Sequence, residues 1–356
     1  TGTIVTATYI SPVAAPIPET EYQWFCSPHD WFQKELLANR KEINPEKMKD
    51  REQFMAIFES IDFDRIIDHP NILIAANFWD RERYCAARTC YRFMRTLDDL
   101  IDDHKAANKG IAEQDRERFA GNVEEWMGML RPGLESSPFC NDLKDTVERF
   151  RIPLWALEAF AESMLYDVDH DGFATLDDFI KYSGGASVSP ASVFVHLAGL
   201  QERDGKYQDP PFDVHRVSEP CAMFSYFVHI IRDFRKDQLN NLSYVADDIM
   251  AKHGLTRRSM LEMAQGAPLS GGFRAMMREY YDITDKYRLS TLKIMEEVCP
   301  QMEPRYRLSL EIIFDLYMMV FERIDPEHGT FSKEELNPTP AETRERVLQV
   351  IERVSR

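Results

Sequence analysis

Helical periodicity runs through almost the whole chain, and it constrains the fold more than any other feature. From about residue 45, apolar side chains recur at intervals of three and four, as at Phe54, Ile57 and Phe58, and again from Ile312 to Val320. Glycine is scarce, with 15 residues in 356, and alternating runs of β-branched residues are nearly absent. The pattern therefore predicts an all-α protein.

Breaks in this periodicity divide the chain into about ten helices. They fall at short segments that contain glycine, proline or polar residues, at positions 69–71, 131–133, 183–185, 201–213 and 269–272. None of these segments is long enough to link two separate domains, so we expect residues 45–330 to form one helical domain.

Residues 331–356 are predicted to form a C-terminal segment that ends in a further amphipathic helix. Its apolar residues fall on one side of that helix: Val347, Val350, Ile351 and Val354. We expect this side to pack either on the domain itself or on a partner, and the second arrangement would make the protein a homo-oligomer.

Residues 1–44 are predicted to be an N-terminal extension that is partly flexible. The chain begins without Met, and its first eighteen residues carry no charge and are rich in Thr, Ala and Pro. This start is typical of a processed or trimmed terminus, and removal of a targeting peptide would explain it. Because no apolar run approaches the ~20 residues that span a bilayer, we expect a soluble protein of the cytoplasm or of a plastid-like organelle.

The charge balance and the cysteines exclude several functional classes. With 43 Lys and Arg against 60 Asp and Glu, the net charge is -17, which argues against a nucleic-acid-binding protein. Six scattered cysteines without CxxC spacing predict reduced thiols rather than a zinc ribbon or a disulfide scaffold. No P-loop, GxGxxG or GxSxG motif supports a nucleotide-binding or acyl-hydrolase function.

Four carboxylates lie close together in the segment RFMRTLDDLIDDHK. Asp98 and Asp102 are four residues apart and share one face of a helix, as do Asp99 and Asp103. The residues upstream on the face of Asp98, which include Tyr91, are mainly apolar, so this face is predicted to point inward. Inward carboxylates need cations or protons nearby, although in isolation the cluster also fits a solvated, acidic end of a helix.

A second acidic pair, Asp233 and Asp237, lies in the segment MFSYFVHIIRDFRKDQLNN. His229 precedes Asp233 by four residues, and Tyr226 lies three residues before His229. The apolar run SYFVHII predicts a central helix. Taken alone, the aspartates also fit ordinary ion pairs with neighbouring basic residues such as Arg232, and His229 fits a hydrogen-bonded position in the core.

Two such pairs on two central helices indicate a more specific arrangement. Facing each other across a bundle, they would form a box of carboxylates that holds Mg2+ together with waters and phosphate oxygens. Bridging metal ions would bind a diphosphate and neutralise the charge that develops as it leaves. The implied reaction is ionisation of an allylic diphosphate, in an otherwise apolar cavity because water would quench the cation. Aromatic side chains can stabilise such a cation, and the candidates are Tyr91, Tyr226, Phe227 and Tyr317.

These residues resemble the motifs of the squalene/phytoene synthase family, whose members have the all-helical isoprenoid synthase fold with a central active-site cavity. The first motif of the family is matched by Tyr91, Arg95, Asp98 and Asp102. The middle signature is matched by Asp167, Phe173, Thr175 and Tyr182, followed by GGASVSPAS. The second metal motif, RDxxxD, is matched by Arg232, Asp233 and Asp237, and a tyrosine near the C-terminal end by Tyr317.

The resemblance implies a prenyltransferase with Mg2+ as its cofactor. The metal ligands and catalytic carboxylates would be Asp98, Asp102, Asp233 and Asp237, and Tyr91 and Tyr226 would act with them in catalysis. Residues that would bind the substrates are Asn71, Arg95, Asp167, His229, Arg232, Tyr244 and Tyr317. The substrates would be a prenyl diphosphate and a second small-molecule acceptor.

Two departures from the family pattern bear on the acceptor. The family usually has Asn where this chain has His229, and an Arg that helps to hold diphosphate where it has Leu242. The family pattern predicts a second prenyl diphosphate as the acceptor, whereas the departures favour a non-isoprenoid nucleophile such as an amine or an amino acid. Cyclisation of a single prenyl diphosphate, without an acceptor, is a third alternative.

A non-catalytic, helical Ca2+-binding protein is an alternative of another class. The segment DVDHDGFATLDD (167–178) has the acidic spacing of an EF-hand loop, but Asp178 stands where the bidentate Glu is expected. An acidic turn between two helices is the simpler interpretation.

Overall fold

The regular elements of the described structure are helices apart from one short two-stranded hairpin, which confirms the prediction of an all-α protein. The computed structural model describes residues 50–64, 71–108, 110–130 and 138–355. The chain divides into two compact units, residues 1–60 and residues 61–356. The described part of the first unit contains helix α1 (Asp50–Glu59), and the predicted extension over residues 1–44 lies outside the described residues.

The described elements of the second unit follow one another along the chain with short connections. The first α-helices are α2 (Asn71–Ala76), α3 (Arg81–Asn108), α4 (Glu113–Gly128), α5 (Pro138–Arg149), α6 (Leu154–Asp169), α7 (Leu176–Ser183) and α8 (Ser189–Gly199). They are followed by α9 (Val214–Leu239), α10 (Asp247–Lys252), α11 (Arg257–Ala264), α12 (Gly271–Val298), α13 (Pro304–Phe321), α14 (Lys333–Leu336) and α15 (Pro340–Val354).

Three smaller elements connect these helices. A π-helical turn (Gly184–Val188) joins α7 to α8, and a 3-10 turn (Cys299–Gln301) follows α12. Strands β1 (Gln201–Arg203) and β2 (Lys206–Gln208) form an antiparallel hairpin after α8. Among the described helices, none combines the length and the apolar composition that a bilayer span requires.

Helix α9 lies at the centre of the second unit. It packs against α8, α11, α12 and α13, and its Phe227 and Phe234 side chains are buried. The helix begins where Asp213 Oδ1 accepts a hydrogen bond from the Arg216 amide (3.0 Å). It ends before Asn241, whose φ of 59° is left-handed. Because α9 is both long and central, it lines the cavity described below over most of its length.

The predicted break at residues 183–185 is wrong, because the chain stays helical from α7 through α8. The two glycines lie at the start of the π-helical turn. A Cβ atom on Gly185 would lie 1.9 Å from Ser163 Oγ and 2.2 Å from the Ala159 carbonyl oxygen. The missing side chain therefore lets this turn pack directly on α6, and the small residues that follow it reach the cavity wall.

Helix α15 forms where the amphipathic C-terminal helix was predicted. Val347, Val350 and Ile351 are fully buried, Val354 is half-buried, and the helix packs on α13 of the same chain. Its apolar face is therefore covered within the chain, so this face does not offer the surface that the predicted homo-oligomer would need.

Candidate active site

A cavity of about 520 Å³ lies between the helices of the second unit. Its walls come from α3, α7, the π-helical turn, α8, α9, α12 and α13, together with Ile72 of α2 and the segment after α9. Aspartates of α3 and α9 line one part of it, and apolar residues line another part: Phe194, Val195, Val217, Ile294, Val298, Leu310 and Ile313. This size is typical of small-molecule sites, which occupy roughly 300–1,000 Å³.

The cavity is elongated along α9. Its lining residues Val217 and Asp237 lie twenty positions apart on this helix, which corresponds to ~30 Å at ~1.5 Å per residue. At the apolar end Val217 packs with Val195 and Val298. A long cavity that is acidic at one end and apolar at the other suits a chain-like apolar ligand with an anionic head group that binds through cations.

Helix α3 presents Asp98 and Asp102 to the acidic end, together with Asp99 and Asp103. Arg95 joins two of them, since its Nη1 lies 2.8 Å from Asp98 Oδ2 and its Nη2 lies 2.5 Å from Asp99 Oδ1. Burial and the charge of Asp102 raise the pKa of Asp98 in spite of Arg95. Burial also raises the pKa of Asp102, for which no ion-pair partner is found among the described residues.

Helix α9 presents Asp233 and Asp237 to the same cavity. Arg232 binds the Asp233 carboxylate with two hydrogen bonds, from Nε to Oδ1 (2.8 Å) and from Nη2 to Oδ2 (2.6 Å). Burial acts to raise the pKa of Asp233, but these bonds and the charge of Arg232 lower it overall. Burial and the charge of Asp233 raise the pKa of Asp237 to about 8.

The two acidic pairs lie close to each other. The segment after α9 contacts α3, because Asn241 Nδ2 donates a hydrogen bond to the Ala106 carbonyl oxygen (3.2 Å). The Tyr244 hydroxyl lies 3.5 Å from Asp102 Oδ2, and the charge of Asp102 contributes to the raised pKa of Asp237. The structure thus brings together the four aspartates that the sequence singled out.

The chemistry of these donors fits a hard divalent cation. Asp102 and Asp237 are carboxylates without a basic partner in the described ranges. Burial, together with repulsion from other carboxylates, raises their pKa values, and a bound cation would oppose both effects. No three His, Cys, Asp or Glu side chains of the described residues are grouped so as to hold an ion alone. Waters and phosphate oxygens would complete the coordination, which is the usual arrangement for Mg2+.

Asp167 lies behind the cavity wall rather than in it. Its Oδ2 accepts a hydrogen bond from the Tyr182 hydroxyl (2.5 Å), and its Oδ1 lies 3.5 Å from the buried Lys105 ammonium. Lys105 also donates to the His170 carbonyl oxygen (2.8 Å). This carboxylate therefore orients Tyr182, which lines the cavity. The sequence analysis predicted that Asp167 binds substrate directly, and no contact of Asp167 with the cavity supports that prediction.

His229 lines the cavity one helical turn before Asp233. Its ring packs edge-on against Tyr317, with centroids 5.1 Å apart. Burial and the charge of Arg232 lower the pKa of His229 to about 3, so the imidazole is neutral near pH 7. The alternative of a hydrogen-bonded core histidine is not what the structure shows, because in the described part of the chain no group hydrogen-bonds to this ring.

Four predicted tyrosines, Tyr91, Tyr226, Tyr244 and Tyr317, line the cavity. Burial raises the pKa of Tyr91 to about 12 and that of Tyr317 to about 12. Burial also raises the pKa values of Tyr226 and Tyr244. These side chains therefore present neutral rings and hydroxyl groups to a ligand.

The remaining predicted residues differ in their relation to the cavity. Asn71 is the first residue of α2, and the cavity wall includes its neighbour Ile72 but not Asn71 itself. Arg232 is not part of the cavity wall, but it hydrogen-bonds to Asp233, which is. Lys236 lines the cavity, although the sequence analysis did not single it out. Its position three residues after Asp233 is the signal that could have identified it.

The segment 167–178 does not have the geometry of a calcium loop. Its first residues belong to helix α6, and Asp167 is engaged by Tyr182 and Lys105. Asp178 forms the cap of α7, where its carboxylate accepts from the Thr175 amide (3.1 Å) and hydroxyl (2.8 Å). The carboxylates therefore stabilise the two helices on either side of the turn.

Comparison with known families identifies the class that this fold and this site define. A sequence model described as squalene/phytoene synthase matches residues 70–342. The chain therefore belongs to the squalene/phytoene synthase family. It is an enzyme of the prenyltransferase type that uses a prenyl diphosphate, and enzymes of this family use divalent metal ions.

Solved structures agree in fold at low sequence identity. A squalene synthase, HpnC from Alicyclobacillus acidocaldarius, is 16% identical over 74% of this chain and 89% of its own, with a TM-score of 0.54. A dehydrosqualene synthase in complex with a ligand is 15% identical over 86% and 98%, with a TM-score of 0.58. YisP from Bacillus subtilis is 10% identical over 85% and 99%, with a TM-score of 0.54. A comparison with curated proteins gave no significant match.

Proposed function

We propose that the protein is a Mg2+-dependent prenyltransferase that ionises one allylic prenyl diphosphate and transfers the carbocation to a second bound acceptor. The observation that carries this proposal is the meeting of Asp98, Asp102, Asp233 and Asp237 in a cavity whose far end is apolar. Membership of the squalene/phytoene synthase family supports the reaction class.

The acidic end would bind the diphosphate. The four aspartates would hold Mg2+, which when bound supplies the positive charge that binds the diphosphate and stabilises it as a leaving group. Lys236 lies at this end and has no ion-pair partner among the described residues, so its ammonium can donate to phosphate oxygens. The bond between the prenyl carbon and the diphosphate oxygen breaks, and its electron pair stays on that oxygen.

The rest of the cavity would protect the cation from water. The apolar residues at the far end would bind the prenyl tail and exclude solvent. The neutral rings of Tyr91, Tyr226 and Tyr317 line the cavity, and an aromatic face that meets a cation contributes on the order of 0.5–2 kcal/mol.

We infer a non-isoprenoid acceptor, such as an amine or an amino acid. Among the described residues that line the cavity, Arg95 and Lys236 are the basic ones, and Arg95 is already bound to Asp98 and Asp99. Leu242 lines the cavity where the family pattern has an Arg. A second diphosphate would add negative charge where the protein has few cations to receive it.

The test is incubation with geranyl, farnesyl or geranylgeranyl diphosphate and Mg2+, with and without a panel of amines and amino acids. Diphosphate release is measured, and products are identified by mass spectrometry. We expect release by the wild type and, with the right amine, a product whose mass is the sum of prenyl group and amine. Asp98→Asn and Asp233→Asn should each lower the release rate about 10²-fold or more, whereas the exposed Asp142→Asn on α5 should not.

Each other outcome contradicts a defined part of the proposal. Release that persists in both cavity variants would show that the metal assignment is wrong. A C30 or C40 hydrocarbon as the sole product would identify a second prenyl diphosphate as the acceptor, which is the alternative that family membership favours. A cyclic product from a single donor would identify a cyclase.

A further inference from the structure

The imidazole of His229 is a polar group in the cavity wall that has no hydrogen-bond partner in the described part of the chain. It is half-buried and lines the cavity, and among the described residues its ring packs edge-on with Tyr317. No hydrogen bond within the described residues engages either ring nitrogen. The ring is neutral near pH 7 because burial and Arg232 lower its pKa. A neutral imidazole has one nitrogen with a free lone pair, so it can accept a proton.

Quenching of the cation by proton loss requires a proton acceptor in this cavity. When an amine captures the prenyl cation, the positive charge moves to the adduct, which is an ammonium ion and is stable near pH 7. If no nucleophile captures the cation, it can lose a proton from a carbon next to the cationic centre and become a polyene. This second outcome needs a base within reach of the reacting carbons, and a weak base suffices because a carbocation is a very strong acid.

The other polar groups of the cavity wall are less suited to this role. The tyrosines are neutral, and their phenol oxygens are much weaker bases than an imidazole. The four aspartates are at the end assigned to the metal ion, and Lys236 is a cation. His229 lies ~6 Å along α9 from Asp233, toward the apolar end. This places it between the expected leaving group and the prenyl tail.

We propose that His229 is the base that takes the proton released when the prenyl cation is quenched by proton loss. The inference rests on the proposed ionisation of a prenyl diphosphate. The C–H bond on a carbon next to the cationic centre breaks, and its electron pair forms the new C=C bond of the polyene. The proton moves to the free imidazole nitrogen, and it leaves with the diphosphate or to solvent as products dissociate.

The experiment needs no knowledge of the acceptor, because proton loss from the cation can be measured in its absence. Wild type, His229→Asn and His229→Gln are incubated with farnesyl diphosphate and Mg2+ alone. Diphosphate release is measured, together with the ratio of polyene, formed by proton loss, to prenyl alcohol, formed by water capture. We expect this ratio to fall about tenfold or more in both variants. Because both products come from the same cation, a change in the rate of ionisation does not alter the ratio.

Controls separate this role from a structural one and from metal binding. His215→Asn changes an exposed histidine at the start of the same helix and should leave the ratio unchanged. The unfolding temperature of each variant shows whether the fold is retained. The Mg2+ concentration for half-maximal release should be the same in His229→Asn and wild type, because a base does not bind the metal.

The results that would overturn the inference differ from those that would overturn the proposed function. If the wild type releases no diphosphate from any of the three prenyl diphosphates, the proposed function fails. If it does release diphosphate and the product ratio is the same in all variants, His229 is not the base. A severalfold change in the Mg2+ requirement of His229→Asn would make His229 a metal ligand and would also overturn the inference.

Discussion

Among single residues, the arginines divide the four aspartates into two kinds. Asp98 and Asp233 are each bound by an arginine of their own helix. Asp102 and Asp237 have no such partner among the described residues, and burial raises the pKa of both, as it raises that of Asp98 in spite of Arg95. Of these four, each helix thus contributes one carboxylate with an arginine partner and one without, and the two without a partner favour binding of a cation at the acidic end.

A substitution at Leu242 tests whether the absence of an arginine at this position weakens the binding of diphosphate. The change Leu242→Arg places a guanidinium at the acidic end, where the family pattern has one, and so adds a donor for phosphate oxygens. We expect the variant to bind inorganic diphosphate with Mg2+ about tenfold or more tightly than wild type, since hydrogen bonds to charged groups contribute ~1.5–3 kcal/mol. Isothermal titration calorimetry measures this. Leu242→Met is the control, and equal affinities for all three proteins would contradict the interpretation.

For the helices, one glycine decides how α6 and the π-helical turn approach each other. Gly185 has no room for a Cβ atom against Ser163 Oγ and the Ala159 carbonyl oxygen. Gly184, the preceding residue, has nothing within 4 Å of the same atom position. Close packing thus depends on one of two adjacent glycines that the sequence alone does not distinguish.

These two glycines give a matched pair of variants. Gly185→Ala should destabilise the protein by about 1–3 kcal/mol or more, because the clash is with backbone and must displace a helix. Gly184→Ala should be neutral or stabilising by ~0.5–1 kcal/mol, since alanine favours helical backbone. Urea denaturation followed by circular dichroism measures both. Equal stabilities of the two variants would show that the contact is not as close as described.

Helix α15 neutralises two buried carboxylates on the outer side of α13. Arg346 Nη1 lies 3.1 Å from Asp315 Oδ1, and Arg353 Nη2 lies 2.5 Å from Asp315 Oδ2. Glu311, also buried, lies 3.3 Å from Arg353 Nη2. Another side of α13 carries Tyr317 into the cavity, so the docking of α15 supports a helix of the cavity wall.

Replacing one of these arginines should lower the free energy of unfolding more than replacing an exposed residue of the same helix. Arg346→Met keeps the aliphatic stem but leaves Asp315 with a single partner, so we expect a loss of about 1–3 kcal/mol of unfolding free energy. The exposed Glu352→Gln on the same helix should change it by less than about 0.5 kcal/mol. Chemical denaturation in low salt provides both values, and a loss in Arg346→Met no larger than that of the control would refute the argument.

For the whole molecule, the distribution of charge predicts which ligands stabilise the fold. A ligand that binds only the folded state stabilises it by ~2.7 kcal/mol at a hundred times its dissociation constant. We expect inorganic diphosphate with Mg2+ to raise the unfolding temperature well above the effect of either alone, because diphosphate oxygens complete the coordination of Mg2+ and Mg2+ offsets the repulsion between diphosphate and the aspartates. Differential scanning fluorimetry measures this.

Calcium ions provide the matched control for this prediction. The carboxylates of Asp167 and Asp178 are bound to protein donors, so Ca2+ alone should not raise the unfolding temperature more than Mg2+ alone does. Stabilisation by Ca2+ without diphosphate that clearly exceeds that by Mg2+, and that persists in Asp98→Asn, would instead support the alternative of a calcium-binding protein.

Local chemistry determined most of what the sequence by itself could predict. Helical periodicity, the DxxxD spacing and the amphipathic C-terminal helix depend on residues a few positions apart, and the all-α fold and the positions of the aspartates on helix faces follow from them. The π-helical continuation through residues 183–185 was missed, because glycines that break a helix in water can serve close packing inside a protein.

The tertiary structure alone decided which groups meet. It placed Asp167 against Tyr182 and Lys105, Lys236 in the cavity wall, and the apolar face of α15 on α13. Each of these depends on contacts between residues far apart in the chain, or on which face of a helix turns inward. Spacing along one helix fixes which side chains share a face, whereas the partner of that face is set by packing across the whole core.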